Sequence, residues 1–213
     1  MAVTLTGLLC TALGRVVDES QMVEALVDRF GSERLAVLRR WRDLVAGAAG
    51  LAEREKLAAV NDFFNRHTRF SDDRLIWGED DYWATPIETI GRAEGDCEDF
   101  SVAKYFTLRE LGVPAERLRL TYVRARIGGA QSPVSQAHMV VSYYPTPGSE
   151  PLVLDNLIGS IRPASERPDL VPVFSFDLNG IYIGGAKQAG SSLARLSRWR
   201  SLLLRMREQG YQP

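Results

Sequence analysis

Cysteine and histidine are both scarce in this chain, with two of each among 213 residues. Two cysteines, Cys10 and Cys97, do not make a disulfide framework, so cysteine usage leaves the redox compartment open. Cys10 lies in an apolar N-terminal stretch, and Cys97 reads as a free thiol. An excess of charge of one sign is also lacking. The 26 Lys and Arg nearly balance the 27 Asp and Glu, for a net charge of −1. That balance removes the electrostatic case for nucleic acid. No apolar run reaches the roughly 18 residues needed to span a membrane. Internal repeats and low-complexity segments are lacking too. What remains is an ordinary globular composition, 45% hydrophobic and 25% charged, long enough for one domain with a sizeable core.

Met1 to Gly14 is short and apolar. It reads either as a partial signal peptide without its basic start or as a buried N-terminal helix. Residues 15–213 then form a single domain. Its first third is helical, with apolar residues at three- and four-residue intervals over Gln21 to Phe30, Ser32 to Ala46 and Glu53 to Thr68. Ser32 is the N-cap expected for the second of these, and Gly47 and Gly50 the break after it. Arg69 to Ala93 reads as a polar, aromatic loop. A half-buried helix follows from Glu98 to Leu111, stopped by Gly112 and Pro114.

Beyond Pro114 the pattern turns strand-like. Arg117 to Arg126 alternates, Gly128 to Ser135 is a loop, and two strands carry His138 and Asp155. Pro163 to Pro172 reads as a connection. Asn179-Gly180 marks a hairpin between Val173–Asp177 and Gly180–Ile183. Ser191 to Glu208 predicts a basic amphipathic helix, with Leu193, Leu196, Leu203 and Met206 toward the protein. Its arginines suit a solvated face, with a membrane surface as the alternative. Helices ahead of an antiparallel sheet make an α+β layout.

The chemistry centres on Gly95-Asp-Cys-Glu-Asp-Phe100. Asp96 stands where an N-cap belongs, which puts Cys97 in the first turn, near the positive end of a helix dipole. A thiol needs such a site, or an imidazole, to lose its proton. The alternative, a buried structural thiol, fits poorly with three acids within two residues of it. His138 lies on an apolar strand and is the better base of the two histidines, since His67 sits on a charged helix. Asp155 ends a short apolar strand and would orient the imidazole; Asn156 is the alternative. Asp96, Glu98 and Asp99 read without any metal as a cap with favourable first-turn acids. Trp77 and Trp83 suit either a peptide groove or the core.

These residues resemble the bacterial transglutaminase-like cysteine proteinases, the LapG-type periplasmic proteases. The likeness runs from about Asp80 to Gly180, through Asp81-Tyr-Trp-Ala-Thr-Pro-Ile-Glu88, Gly95–Phe100, Ala137-His-Met139, Val153-Leu-Asp-Asn-Leu157 and Leu170–Phe176. It implies a papain-like or transglutaminase-like core and a Cys97–His138–Asp155 triad. It implies Ca²⁺ on Asp96, Glu98 and Asp99, where the ion would offset carboxylates that otherwise raise the thiol pKa; Asp80 and Asp81 are further candidate ligands. It also implies cleavage of a large surface adhesin near its N-terminus, at a pair of alanines, to control attachment and biofilm. An inhibitory membrane receptor for a cyclic dinucleotide would be the partner. In the mechanism this implies, the Cys97 N–H and a donor such as Trp83 hold the oxyanion. The same triad could instead serve an amidase or an acyl transferase with an amine acceptor, or the fold could be a non-catalytic binding module; every triad member is present, which argues against the last.

Overall fold

The computed structural model describes residues 17–188 and 196–212. Cys10, the segment 1–14 and Leu193 lie outside the described residues. Three helices come first: α1 (Glu19–Phe30), α2 (Leu35–Ala48) and α3 (Glu53–His67). Asp18 caps α1 by accepting from the Ser20 and Gln21 amides at 3.0 and 3.3 Å. Ser32 is not a cap; it opens a single 3₁₀ turn, and Arg34 precedes α2 without a side-chain bond. Gly47 stays inside α2. One interior glycine costs only about 1 kcal/mol, and Trp41, Val45 and Ala48 anchor the surrounding turns in the core.

The stretch read as a loop is ordered by two short helices, α4 (Asp73–Ile76) and α5 (Pro86–Arg92). The sequence signal for α5 was Thr85-Pro-Ile-Glu88, a capping box with proline at the first helical position. The Glu88 amide donates to Thr85 Oγ1 at 3.2 Å, and the Thr85 amide donates to Glu88 Oε2 at 2.8 Å. Two-residue strands β1 (Arg69–Phe70) and β2 (Glu94–Gly95) pair in parallel and close this segment at its base. The closure brings Asp73 beside the residues that follow Gly95.

Helix α6 (Cys97–Glu110) runs through the middle of the molecule, buried on every side from Asp99 to Leu108 rather than along one face. Its small polar residues allow this because each finds a partner. Thr107 Oγ1 donates to the Ala103 carbonyl at 2.7 Å and accepts from Trp41 Nε1 at 3.0 Å.

The sheet comprises β3 (Leu118–Arg126), β4 (Ser135–Tyr143), β5 (Leu152–Leu154), β6 (Arg162–Pro163), β7 (Leu170–Phe176), β8 (Ile181–Ile183) and β9 (Ala186–Lys187). All neighbours are antiparallel, in the order β6-β5-β4-β3-β7-β8-β9. Leu118, Leu120, Met139 and Val141 join the main core under α6, while Val123, Val140 and Val153 form a second cluster. Strand β7 begins at Leu170, inside the segment read as a connection. Pro172 is tolerated there because the β3–β7 register shifts between Tyr122 and Val123, a bulge that relieves the ladder of one donor.

Helix α7 (Ser197–Glu208) buries Trp199, Leu202 and Met206, and Leu203 is only half-buried. Two of its arginines are engaged by protein. Arg198 Nε lies 2.7 Å from Asp81 Oδ2, and Arg205 donates to the Trp83 carbonyl. Trp83, Phe176, Phe106 and Trp199 form a continuous aromatic packing beneath α7. Among the described residues no helix is long and apolar enough to cross a membrane.

Candidate active site

Cys97 opens α6, and Asp96 caps it by accepting from the Glu98 and Asp99 amides at 3.1 and 3.5 Å. The half-buried thiol donates to Glu98 Oε2 at 2.7 Å. Burial pushes the thiol pKa up, Glu98 and Asp96 push the same way, and only the Met139 N–H acts against them. The thiol therefore sits against the backbone of β4, one residue from His138. No hydrogen bond joins this thiol to the imidazole.

His138 is 2% exposed and lies opposite Val123 in the β3–β4 ladder. Its Nε2 is 2.8 Å from Asp155 Oδ1. That contact leaves Nδ1 as the nitrogen available to a thiol. Asp155 follows β5 directly. Its Oδ1 also accepts from the Leu157 amide at 3.1 Å, and its Oδ2 accepts from Arg167 Nη2 at 2.7 Å. Burial opposes the charge, but His138, the Leu157 N–H and Arg167 overcome it and hold this carboxyl down at about 2. Asn156 makes no hydrogen bond to the imidazole; its Oδ1 is buried without a partner.

The acids around Cys97 divide between two groups. Asp73, Asp96 and Asp99 bring carboxylate oxygens within 4.8 Å of one another, while Glu98 groups with Asp96 and the thiol. Asp99 Oδ1 accepts from the Ala84 amide at 2.7 Å, and Asp73 Oδ2 accepts from the Tyr82 amide at 2.6 Å. The remaining oxygens, Asp99 Oδ2 and Asp73 Oδ1, are buried without a partner. Burial, then Glu98, Asp99 and Asp73, push Asp96 up to about 10; burial also raises Asp73 to about 6 and Asp99 well above its ordinary value. Such crowding of hard oxygen donors, two of them orphaned, fits a Ca²⁺-sized cation. Gly95 makes room for the Asp99 side chain: a Cβ there would stand 2.7 Å from the Asp99 Cβ.

Asp80 and Asp81 do not join this cluster. Asp80 pairs with Arg74, and Asp81 accepts from Trp83 Nε1 at 3.0 Å as well as from Arg198. Trp83 is 4% exposed. It is a core aromatic whose N–H is already engaged, so it does not supply a free oxyanion donor. Trp77 is half-buried between the guanidinium groups of Arg29 and Arg92. His67 is exposed and stacks on Phe63.

Sequence reasoning missed Asp73, Arg167, Lys104 and Tyr122. Tyr122 is raised by burial and then by Glu98, Asp81, Cys97 and Asp96, which sets its phenol among the site's charges. Asp73 and Arg167 lay in segments read as loops, and no local spacing ties them to the site. The Thr85 capping box was the one available clue that the first segment was structured.

An α+β core with a thiol at the N-terminus of a buried helix is papain-like in class. Residues 45–168 match the family described as bacterial transglutaminase-like cysteine proteinase BTLCP. The chain belongs to that family and is a cysteine protease. It is similar to LapG of Legionella pneumophila, at 38% identity and a TM-score of 0.73 over 88% of this chain and 96% of that one. An EGTA-treated structure of the Legionella protein gives 37% identity and 0.75 over the same shares. A calcium-bound one gives 38% and 0.72, over 86% of this chain and 97% of that one. No curated protein matches the chain.

Proposed function

We propose that this protein is a calcium-dependent endopeptidase of the periplasm. It would cleave a large surface adhesin near its N-terminus through a thioester on Cys97, and so control attachment and biofilm. The observation that carries the reading is the buried pair of His138, on β4, and Asp155, directly after β5, beside the helix that begins with Cys97. Likeness to LapG supports the substrate class and the compartment. A membrane receptor for a cyclic dinucleotide is the proposed inhibitory partner on the same ground.

In this mechanism His138 Nδ1 takes the thiol proton while Asp155, bonded to Nε2, fixes the tautomer and stabilises the imidazolium. The Cys97 sulfur attacks the scissile carbonyl. The oxyanion is held by the Cys97 backbone N–H and, in place of the Trp83 indole, by the Tyr122 hydroxyl, which stays protonated among the acids around it. His138 then protonates the leaving amine, and water resolves the thioester. Beside Tyr122, a recess of about 220 Å³ is lined by Trp83, Phe174, Leu196 and Arg198.

Asp73, Asp96 and Asp99 would hold calcium, with Glu98 at its edge. The bound ion supplies positive charge that offsets the carboxylates now raising the thiol. Incubation with an adhesin fragment carrying a di-alanine site, with and without chelator, tests the reading. Incorporation of an amine label instead of cleavage would favour acyl transfer.

A further inference from the structure

Cys97, Ser101 and Lys104 lie at i, i+4 and i+7 on α6, so they share one face of the helix. Each meets backbone at or next to a proposed partner of the thiol. The Cys97 sulfur rests against the Met139 N–H. Ser101 Oγ donates to the Met139 carbonyl at 3.0 Å, next to His138. Lys104 Nζ donates to the Asp155 carbonyl at 3.0 Å and to Asn65 Oδ1 at 2.7 Å. Asn65 Nδ2 completes the triangle by donating to the same Asp155 carbonyl at 2.9 Å.

Lys104 is 1% exposed, and a buried ammonium is expensive. Nothing in peptide hydrolysis uses it directly. Methionine would fill the same volume without that cost. Resting on the Cys97–His138–Asp155 reading, we propose that Lys104, with Asn65, is a positioning residue that locks the Asp155 segment to the nucleophile helix. One helix face then sets the spacing of thiol, imidazole and carboxylate together. The Phe100 ring lies under the amine, with Nζ 5.6 Å from its centroid. Burial pushes the amine down to about 7. A neutral amine still carries two N–H donors for its two acceptors, so the clamp survives loss of the charge.

The test is the rate of Cys97 alkylation by iodoacetamide against pH, read by mass on the Cys97 peptide, with thermal melting alongside. The full chain is compared with Lys104→Met, Asn65→Ala and His138→Gln. Wild type should show an inflection that His138→Gln abolishes. Lys104→Met should melt below the wild-type temperature, since it leaves Asn65 Oδ1 without its donor and takes one from the Asp155 carbonyl. It should also shift the inflection toward the His138→Gln profile and slow alkylation at neutral pH roughly tenfold. Asn65→Ala, on the solvent side of the clamp, should shift it the same way and serves if Lys104→Met does not fold. Folded variants with the wild-type profile would overturn the positioning role while leaving the triad intact. A wild-type profile indifferent to His138→Gln would sink the triad reading and this proposal with it.

Discussion

Arg167 Nη2 lies 2.7 Å from Asp155 Oδ2 while the other oxygen of the same carboxylate faces His138 Nε2 at 2.8 Å. One buried acid thus bridges a guanidinium and an imidazole. Arg167 is in turn braced by Asp169, with Nη2 2.8 Å from its Oδ2. Removing the guanidinium leaves Asp155 buried with only the His138 imidazole and the Leu157 amide as partners. Arg167→Met should lower unfolding stability by about 3 kcal/mol, in the range measured for breaking buried pairs. Urea denaturation reads this directly.

The same carboxylate sets an acid limit on stability. Its folded value of about 2 lies below the unfolded value of roughly 3.9. Its stabilisation is therefore fully present above pH ~4 and is lost as pH falls through about 2, a span worth on the order of 2 kcal/mol. Acid unfolding of Asp155→Asn should lack this component. Equal pH dependence in the two proteins would contradict the assignment.

Glu98 accepts the thiol proton's hydrogen bond at 2.7 Å, and its charge disfavours the thiolate. In chelator, Glu98→Gln should lower the Cys97 pKa and raise the thiolate fraction at neutral pH. Iodoacetamide alkylation should speed up in proportion, on the order of tenfold. An unchanged or slower rate would show that burial and Asp96, not Glu98, hold the thiol protonated.

Two orphaned oxygens, on Asp73 and Asp99, make the calcium proposal concrete. Calcium at a hundredfold above its Kd should raise the melting temperature by roughly 5 °C or more. Asp73→Asn should abolish most of that rise although Asp73 is 24 residues before Cys97 in the numbering. Gly95→Ala should weaken calcium on the order of tenfold, because its Cβ would stand 2.9 Å from Asp99 Oδ2. Titration calorimetry measures both.

Tyr122 carries the oxyanion assignment. Tyr122→Phe keeps the ring packed on Phe174, with centroids 4.8 Å apart, and removes only the hydroxyl. It should reduce kcat by on the order of a hundredfold with little change in KM. A wild-type kcat would return the second donor to some other group.

The α+β order, the strand that bears His138, the strand that ends just before Asp155 and the helix starting at Cys97 were legible because each rests on local periodicity or a cap. Asp73 and Arg167 were not, because chain closure brings them in: the β1–β2 pair for one, the β3–β7 ladder beside it for the other. Helix α6 read as half-buried because Ser101, Lys104 and Thr107 look like a solvated face. Only tertiary partners reveal them as satisfied interior groups. The arginines of α7 keep the solvated face read for them at Arg198, Arg200 and Arg207, while Arg205 alone turns inward to the Trp83 carbonyl.

The most direct test is cleavage of an adhesin N-terminal fragment with a di-alanine site by the wild-type protein and by Cys97→Ala, each with calcium and with chelator. The account predicts one specific cut, present only for wild type with calcium and restored when calcium replaces chelator. A cut that persists in Cys97→Ala, or that is indifferent to chelator, would contradict it.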